Sequence, residues 1–583
     1  MIKEEKRLQD YLAFLYGKER APAVAQRLSQ LMDAFRQDHP EWTRRAPAHR
    51  VSERDAILIT YGDMVQQPGA APLRVLAEFL DQTLRPTISS VHILPFFPFS
   101  SDDGFSVIDY TRVDPNLGTW QDVSRCGKHF RLMFDAVINH ISARSSWFRK
   151  FLEGDPAYAE YFIAVEPNTD LSSVFRPRSS PLLTPFDTCD GEKFIWTTFS
   201  ADQIDLNYRN PDVLLEVIRI LLKYVDEGAE FIRLDAVTFL WKEFNTSCAN
   251  LPQTHCIVQL LRAILDLVAP YVTIITETNI PHKDNIAYFG DGTNEAQMVY
   301  NFALPLLTAH SFYMGNAETL SAWAATLDPP SPETSFFNFL AGHDGIGIQP
   351  VRDILSQHEI QHLLDHALEQ GGQISYKRDA DGSLSPYEIN ISYFDMLSGI
   401  GGEGDDRNLA IQRFLTAHAM MFALRGVPGI YFHSLFGSRN WSAGVEQTGR
   451  ARTINREKLI RAELESELAD EQSLRFQVFH PLMKMLQARA ASSAFHPAGG
   501  QEVLQGFPSL FALIRSSIDK KKHVLCLHNI ANQPSTVSVS LEKTSMDGAT
   551  QLRDLISGNV IPMQGKILDL TLEPHQFRWL QEE

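Results

Sequence analysis

Eight short apolar runs, set apart by helical patterns, are the feature that most narrows what this chain can fold into. They are AILIT (56–60), SVHILPF (90–96), RLMFDAVI (131–138), EFIRLD (230–235), VTIITE (272–277), QMVYNFAL (297–304), SFFNFL (335–340) and VPGIYF (427–432). Rich in Val, Ile and Phe and lacking polar alternation, they read as parallel strands covered on both faces. Amphipathic patterns such as 213–228 and 255–268 separate most of them. Strand and helix alternating eight times predict an α/β fold, a closed (β/α)₈ TIM barrel. In such a barrel the chemistry gathers where strands end, at the C-terminal face.

The remaining stretches fit around that barrel. Residues 1–50 read as helices closing on a polar segment (RQDHPEWTRRAPAHR), an extension ahead of the barrel at 51–490. Two gaps are too long for crossover loops, about 145–210 and about 350–400, and read as inserted lids; the second holds GGQISYKRDADGSLSPYEIN. Long loops on a barrel's C-terminal face are where selectivity is built. From 491 to 583, LFALIRSS, HVLCLHNI, STVSVSLE and ILDLTLEP predict a C-terminal antiparallel β domain.

Composition removes several classes of function. With a formal charge of −18 over 583 residues, the chain is a poor nucleic-acid partner, and any anionic substrate needs arginines of its own. No apolar stretch reaches membrane-spanning length, and the N-terminus carries no signal-peptide pattern, so a cytoplasmic protein without a membrane partner is expected. The five cysteines (126, 189, 248, 256 and 526) are odd in number and show no metal spacing; Cys248 and Cys256 read as packing thiols.

Three strand tips carry carboxylates: Asp235 in FIRLD, Glu277 in VTIITE, and Asp344 behind His343 in FFNFLAGHD. Cleaving a glycosidic bond with retention needs a nucleophilic carboxylate and a carboxylic acid about 5–5.5 Å apart. Asp235 and Glu277 end neighbouring strands, which lie about 4.8 Å apart, so the spacing suits that chemistry. Arg233, two residues before Asp235 on the same strand face, is expected to keep that carboxylate ionised. Glu277 sits in an apolar stretch whose desolvation raises an acid's pKa. Taken alone, an Arg-x-Asp pair is an ordinary structural ion pair and a strand-end glutamate an ordinary cap; three such tips together favour a site. His140 in FDAVINH and His343 can donate hydrogen bonds to sugar hydroxyls, and Asp344 can accept two. An aldolase-type barrel would want a strand-end lysine, whereas Lys242 in WKE lies past the strand.

Further segments make a resemblance specific: HILPFFPFSSDDGFSVIDY (92–110), RPRSSPLLTPF (176–186), FALPLL (302–307), GHDGIG (342–347) and ARTINR (451–456). With DAVINH, IRLDAV and ITETN they make the chain, over about residues 55–583, resemble the α-amylase superfamily, glycoside hydrolase family 13. Within it the chain is most similar to the sucrose phosphorylase branch with its glucosylglycerate and glucosylglycerol phosphorylases. The resemblance implies Asp235 as nucleophile, Glu277 as acid/base and Asp344 as transition-state stabiliser. It implies that Asp102, Phe105, His140, Arg233, His343 and Arg452 hold the glucosyl unit. A double displacement follows from it, with phosphate attacking a β-glucosyl ester to give α-glucose 1-phosphate. No cofactor and no metal are implied, and the partners are an α-glucoside and inorganic phosphate, in a monomer or homodimer. RPR at 176–178 is the candidate phosphate cradle, since a guanidinium fork fits phosphate; alone such a loop is more often a solvated turn, and it is the similarity of RPRSSPLLTPF to the phosphorylase branch that implies Arg178, ahead of Arg176.

The aglycone is the open question. SPYEINISYFD (385–395) resembles the branch's acceptor loop, with Tyr387 and Glu388, where sucrose phosphorylases carry a glutamine at the second position. A carboxylate accepts hydrogen bonds from a diol and repels an anion. This favours glycerol, making 2-O-α-D-glucosylglycerol the expected substrate, unless arginines such as Arg439 compensate. Glucosylglycerate stands second, sucrose or its 6′-phosphate third. A plain α-glucosidase or transglycosylase, and a catalytically silent binding barrel, are the rivals from other classes.

Overall fold

The computed structural model describes residues 2–45, 51–379, 381–400, 406–563 and 565–583. At its centre eight parallel strands close into a barrel: β1 (Ile57–Thr60), β2 (Ser90–Ile93), β3 (Arg131–Ala136), β4 (Ala229–Leu234), β5 (Thr273–Thr276), β6 (Met298–Tyr300), β7 (Ser335–Asn338) and β8 (Val427–Tyr431). Pairing of Ile57 with Gly429 joins the last strand to the first. Every residue of β1, β2, β5, β6, β7 and β8 is buried, as expected for a sheet covered by helices outside and filled by side chains within.

The apolar runs overstate the strands at their ends. The run at 297–304 gives only a three-residue strand, because Pro305 begins the helix Leu304–Met314. Proline is pre-set for a helix's first turn, where its missing N–H leaves no bond unmade.

The first long gap folds as the helix Ser146–Leu152 and a three-stranded antiparallel sheet of Ala164–Val165, Gly191–Trp196 and Leu183–Thr188. It has its own small core of Val165, Val174, Leu182, Trp196 and Cys248. The second gap provides the helix Gln357–Glu369 and the hairpin Gln373–Arg378 with Leu384–Asn390, which pairs with Ile346–Gly347 just past β7. Beyond the barrel, a six-stranded sheet and a two-stranded one form an antiparallel β domain, with all four C-terminal runs present as strands.

Ahead of the barrel, helix Ile2–Asp38 bends at Gly17, whose φ of 80° is open only to a residue without Cβ, and lies against the helices Pro211–Asp226 and Pro252–Val268. Of the polar segment that follows, residues 46–50 lie outside the described residues. Cys126, Cys248, Cys256 and Cys526 are buried and Cys189 is exposed, all unpaired. Among the described residues no helix is long and apolar enough to cross a membrane.

Arg489, in the helix Leu474–Ala490, ties these parts together. Fully buried, it donates to the carbonyls of Glu53 (2.5 Å), Gly426 (3.0 Å), Phe422 (3.2 Å), Asp55 (3.3 Å) and Phe495 (3.3 Å), gathering the leads into β1 and β8 and the approach to the C-terminal sheet. Burial lowers its pKa to about 10, so it stays charged at neutral pH. Arg489→Met strands these carbonyls in the interior and is expected to lower unfolding stability by about 3 kcal/mol. Urea unfolding checks this; a loss below about 1 kcal/mol would show that the carbonyls find other donors.

Candidate active site

At the C-terminal end of the barrel, β4 and β5 are in register through Arg233–Ile275 and Leu234–Thr276. Each strand's ladder continues one residue past its end: Asp235 N–H donates to Ala136 O and Glu277 N–H to Leu234 O, both at 3.1 Å. Asp235 and Glu277 therefore stand side by side at one height. Immediately after Asp235 the chain turns through Ala236, whose φ of 48° is unusual for a residue with a Cβ. That turn aims the Ala236 N–H at Glu277 Oε2, 3.0 Å away.

One cavity of about 70 Å³ is lined by Asp235, Glu277, Asp344, Asp102, Phe105, His140, Arg178, Tyr387, Glu388 and Arg452, ten of the thirteen site residues read from the sequence. Arg233 and His343 sit at its floor, behind Glu277 and Asp344. The Phe105 ring is stacked on His343 at 4.7 Å and 1°, making that floor flat. Arg176 is not brought there: its guanidinium is bonded to Ser180 O within its own loop. An outer vestibule of about 320 Å³ opens from the cavity and adds Arg450 and Arg456 to Arg178 and Arg452. Four arginines thus face two carboxylates, Asp102 and Glu388, in that vestibule.

Beneath the carboxylates lies Asp135, a residue that sequence reading passed over, on the far side of Arg233. Arg233, 2% exposed, shares Nη1 between Asp135 Oδ1 and Asp235 Oδ1, the latter at 2.9 Å, and its Nη2 stands 3.9 Å from Glu277. Asp135 also accepts from His92 Nε2 at 2.6 Å. Burial would raise the Asp135 carboxyl, but Arg233 and His92 hold it near 2. Its signal was present in RLMFDAVI, an aspartate inside an otherwise apolar strand.

Asp135 competes for the guanidinium, which alters the expectation for Asp235. Burial pushes the Asp235 carboxyl well above the usual range, Arg233 pulls it back, and Glu277, Asp135 and Asp344 add to the rise. Glu277 is raised by burial too, with Arg233 opposing. Neighbouring carboxylates of this kind hold their last proton in common. Asp344 departs in the other direction: burial acts upward, but the guanidiniums of Arg452 (2.5 Å) and Arg456 (3.7 Å) hold its carboxyl far below the ordinary range, with the His343 ring 3.2 Å away. Burial lowers His343 to about 3 and also lowers His140, so both imidazoles are neutral at pH 7.

Glu388 is not the free acceptor that its sequence context suggested. Arg452 grips it through Nη2 at 2.7 Å and Nε at 3.2 Å, and Arg178 Nη1 stands 3.6 Å away. Arg439 plays no part, its guanidinium being bonded to Asp395. Gly345 lets the acceptor hairpin come this close: a Cβ there would lie 2.8 Å from Asn390 Oδ1 and 2.9 Å from the Glu388 Cβ. Among the described residues no group of three or more His, Cys, Asp or Glu is placed to hold a metal ion.

Comparison with known proteins places this geometry. The catalytic-domain model of α-amylase matches residues 80–344, and the maltogenic amylase C-terminal domain matches 503–579. The glucosylglycerate phosphorylase of Spirochaeta thermophila is 49% identical over 95% of this chain and 94% of its own length. That of Escherichia coli K12 is 44% identical over 99% and 100%. Among solved structures, the sucrose 6F-phosphate phosphorylase of Thermoanaerobacter thermosaccharolyticum superposes with a TM-score of 0.72 at 22% identity, over 90% of this chain and 100% of the other; it attests the fold.

The chain belongs to the α-amylase family, glycoside hydrolase family 13, in the branch of the sucrose phosphorylases. It is a glucoside phosphorylase, a hexosyltransferase that uses a small glucoside and phosphate. The expectation of glycerol as aglycone is overturned, because the glucosylglycerol phosphorylase of Marinobacter adhaerens shares only 27% identity over 75% of this chain and 87% of its own. The physical reason is the neutralised Glu388: its charge is spent on Arg452 and Arg178 and does not repel an anion.

Asp135→Asn removes one of the two carboxylates on Arg233 and one of the charges that raise Asp235. With the Asp235 carboxyl lowered, activity that needs its ionised form is expected to persist to lower pH. The pH profile of kcat/KM checks this; an acid limb that moves upward or stands still would contradict the shared clamp.

Proposed function

We propose that the chain is a glucosylglycerate phosphorylase, which cleaves the α-glucosidic bond with phosphate to release α-glucose 1-phosphate and glycerate. The observation that carries this reading is the 44–49% identity to glucosylglycerate phosphorylases over nearly the full chain. The vestibule supports it physically. In a protein of net charge −18, a local cluster of arginines is what two anionic reactants require.

Asp235 and Glu277 take the roles their places suit. Glu277, whose carboxyl burial raises against the pull of Arg233, donates a proton to the glycosidic oxygen as Asp235 attacks the anomeric carbon from the opposite face. Glycerate leaves as an alcohol and a β-glucosyl ester forms on Asp235. A phosphate oxygen then displaces the ester, Glu277 accepts the phosphate proton, and two inversions give net retention. Asp344 is fixed as a carboxylate by Arg452 and can hold the sugar hydroxyls while positive charge develops on the ring. The neutral His140 and the Phe105–His343 floor shape the glucosyl subsite. Arg178, facing the cavity and 5.6 Å from the Tyr387 ring centre, is the candidate contact for phosphate.

One phosphorolysis panel tests the reading: glucosylglycerate, glucosylglycerol, sucrose and sucrose 6′-phosphate at fixed enzyme, with glucose 1-phosphate measured. The highest kcat/KM is expected for glucosylglycerate, and a preference for any other donor would refute the aglycone assignment. Glu277→Gln should slow donors with poor leaving groups far more than α-glucosyl fluoride; equal losses for both would count against its acid role. Arg178→Ala is expected to raise the KM for phosphate about tenfold or more while transfer to water is spared. An unchanged phosphate KM would remove Arg178 from the cradle.

A further inference from the structure

Lys242, in the loop beyond β4, is nearly fully buried, 7% exposed, and touches no part of the cavity. Its ammonium donates to Asp205 Oδ2 at 2.6 Å and to Asn139 Oδ1 at 2.8 Å. An ammonium only donates, so the Asn139 amide must present its oxygen to Lys242 and its nitrogen to the other side. There Nδ2 meets Asp205 Oδ2 at 3.1 Å and His140 Nδ1 at 3.3 Å. A ring nitrogen that accepts carries no proton, which leaves the His140 proton on Nε2, donated to Phe105 O at 2.8 Å. Gln203 Nε2 extends the chain: it stands 3.1 Å from His140 Nε2, and with the ring proton there its own two N–H groups go to Phe105 O and Asp102 Oδ2, both at 3.3 Å. Asn139, Asp205 and His140 are buried at 0–2% exposure, so no solvent loosens the relay.

From this geometry we propose that Lys242 is a positioning residue for glucosyl transfer: paired with Asp205, it locks the Asn139 amide and so holds His140 in one tautomer against the loop carrying Phe105 and Asp102. The proposal rests on the glucosyl-transfer reading of the cavity and is independent of the aglycone. The charged groups facing His140 are Asp205, Asp102 and Lys242; burial lowers its pKa, both carboxylates raise it, and Lys242 lowers it. Removing the ammonium therefore raises the His140 pKa. Protonated at both nitrogens, the ring would have nothing to accept from Asn139, and the relay would break.

The test uses the full chain with α-glucosyl fluoride and phosphate, which takes the aglycone out of the comparison. In Lys242→Met, kcat/KM at neutral pH is expected to fall about tenfold to a hundredfold, and the acid limb of the pH profile to move upward. Because a buried, unpaired Asp205 also destabilises the fold, Lys242→Met/Asp205→Asn serves as the second variant. It removes the raising and the lowering charge together and is expected to return the acid limb toward that of the parent. A Lys242→Met enzyme that only melts earlier, with its profile unmoved, would overturn the proposal. So would a double variant whose limb stays displaced. A parent enzyme inert toward α-glucosyl fluoride would instead remove the glucosyl-transfer reading, and this proposal with it.

Discussion

A single buried guanidinium holds the centre of this enzyme together. Arg233 sits within the barrel, shared between Asp135 from the neighbouring β3 and Asp235 at the end of its own strand, with Glu277 just out of bonding reach. Taking such charges out of water is expensive unless each finds its partner. Breaking one contact would leave an uncompensated carboxylate among apolar side chains. The clamp thus serves structure and chemistry at once: it joins adjacent strands and sets how protons are apportioned among the carboxylates above it.

Around the clamp, charge is sorted in depth. At the floor, burial pushes Asp235 and Glu277 upward against the pull of Arg233, and the two compete for a proton. Asp344 lies nearer the mouth between Arg452 and Arg456 and is held ionised. Further out, Arg178, Arg450, Arg452 and Arg456 line the vestibule with Asp102 and Glu388, and Asp103 and Asp344 pair with the last three of them. A neutral sugar belongs at the acidic floor and an anion among the arginines of the mouth, an arrangement suited to transferring a glucosyl group to and from phosphate. The separation also explains how an acidic protein, its overall field repelling anions, can still gather them.

Much of the fold was legible because strands covered on both faces show uninterrupted apolar runs, and their ends are marked where a charged residue follows. The tips at Asp235 and Glu277 were readable for that reason, whereas Asp344, read as a third tip, lies in the loop beyond the end of β7 at Asn338. What escaped depended on side-chain partners remote in sequence. Glu388 read as a free carboxylate, since nothing near it reveals Arg452, 64 residues away, or the more distant Arg178. Of the two arginines of RPR, the resemblance put Arg178 first; it turns inward, and Arg176 closes its own loop on Ser180. Asp135 was hidden in plain view, a buried charge whose partner lies one strand over. Lys242, dismissed as lying past the strand, proved to be sealed inside the wall of the site.

The claim on which all else depends is that Asp235 becomes the covalent carrier of glucose. The direct measurement is peptide mapping by mass spectrometry of the Glu277→Gln enzyme after a brief incubation with α-glucosyl fluoride in the absence of phosphate. The account expects one added anhydroglucose on the peptide spanning β4, with fragmentation placing it on Asp235 and phosphate discharging it. A glucosyl group found on any other residue, or continued turnover with no adduct at any time, would contradict it.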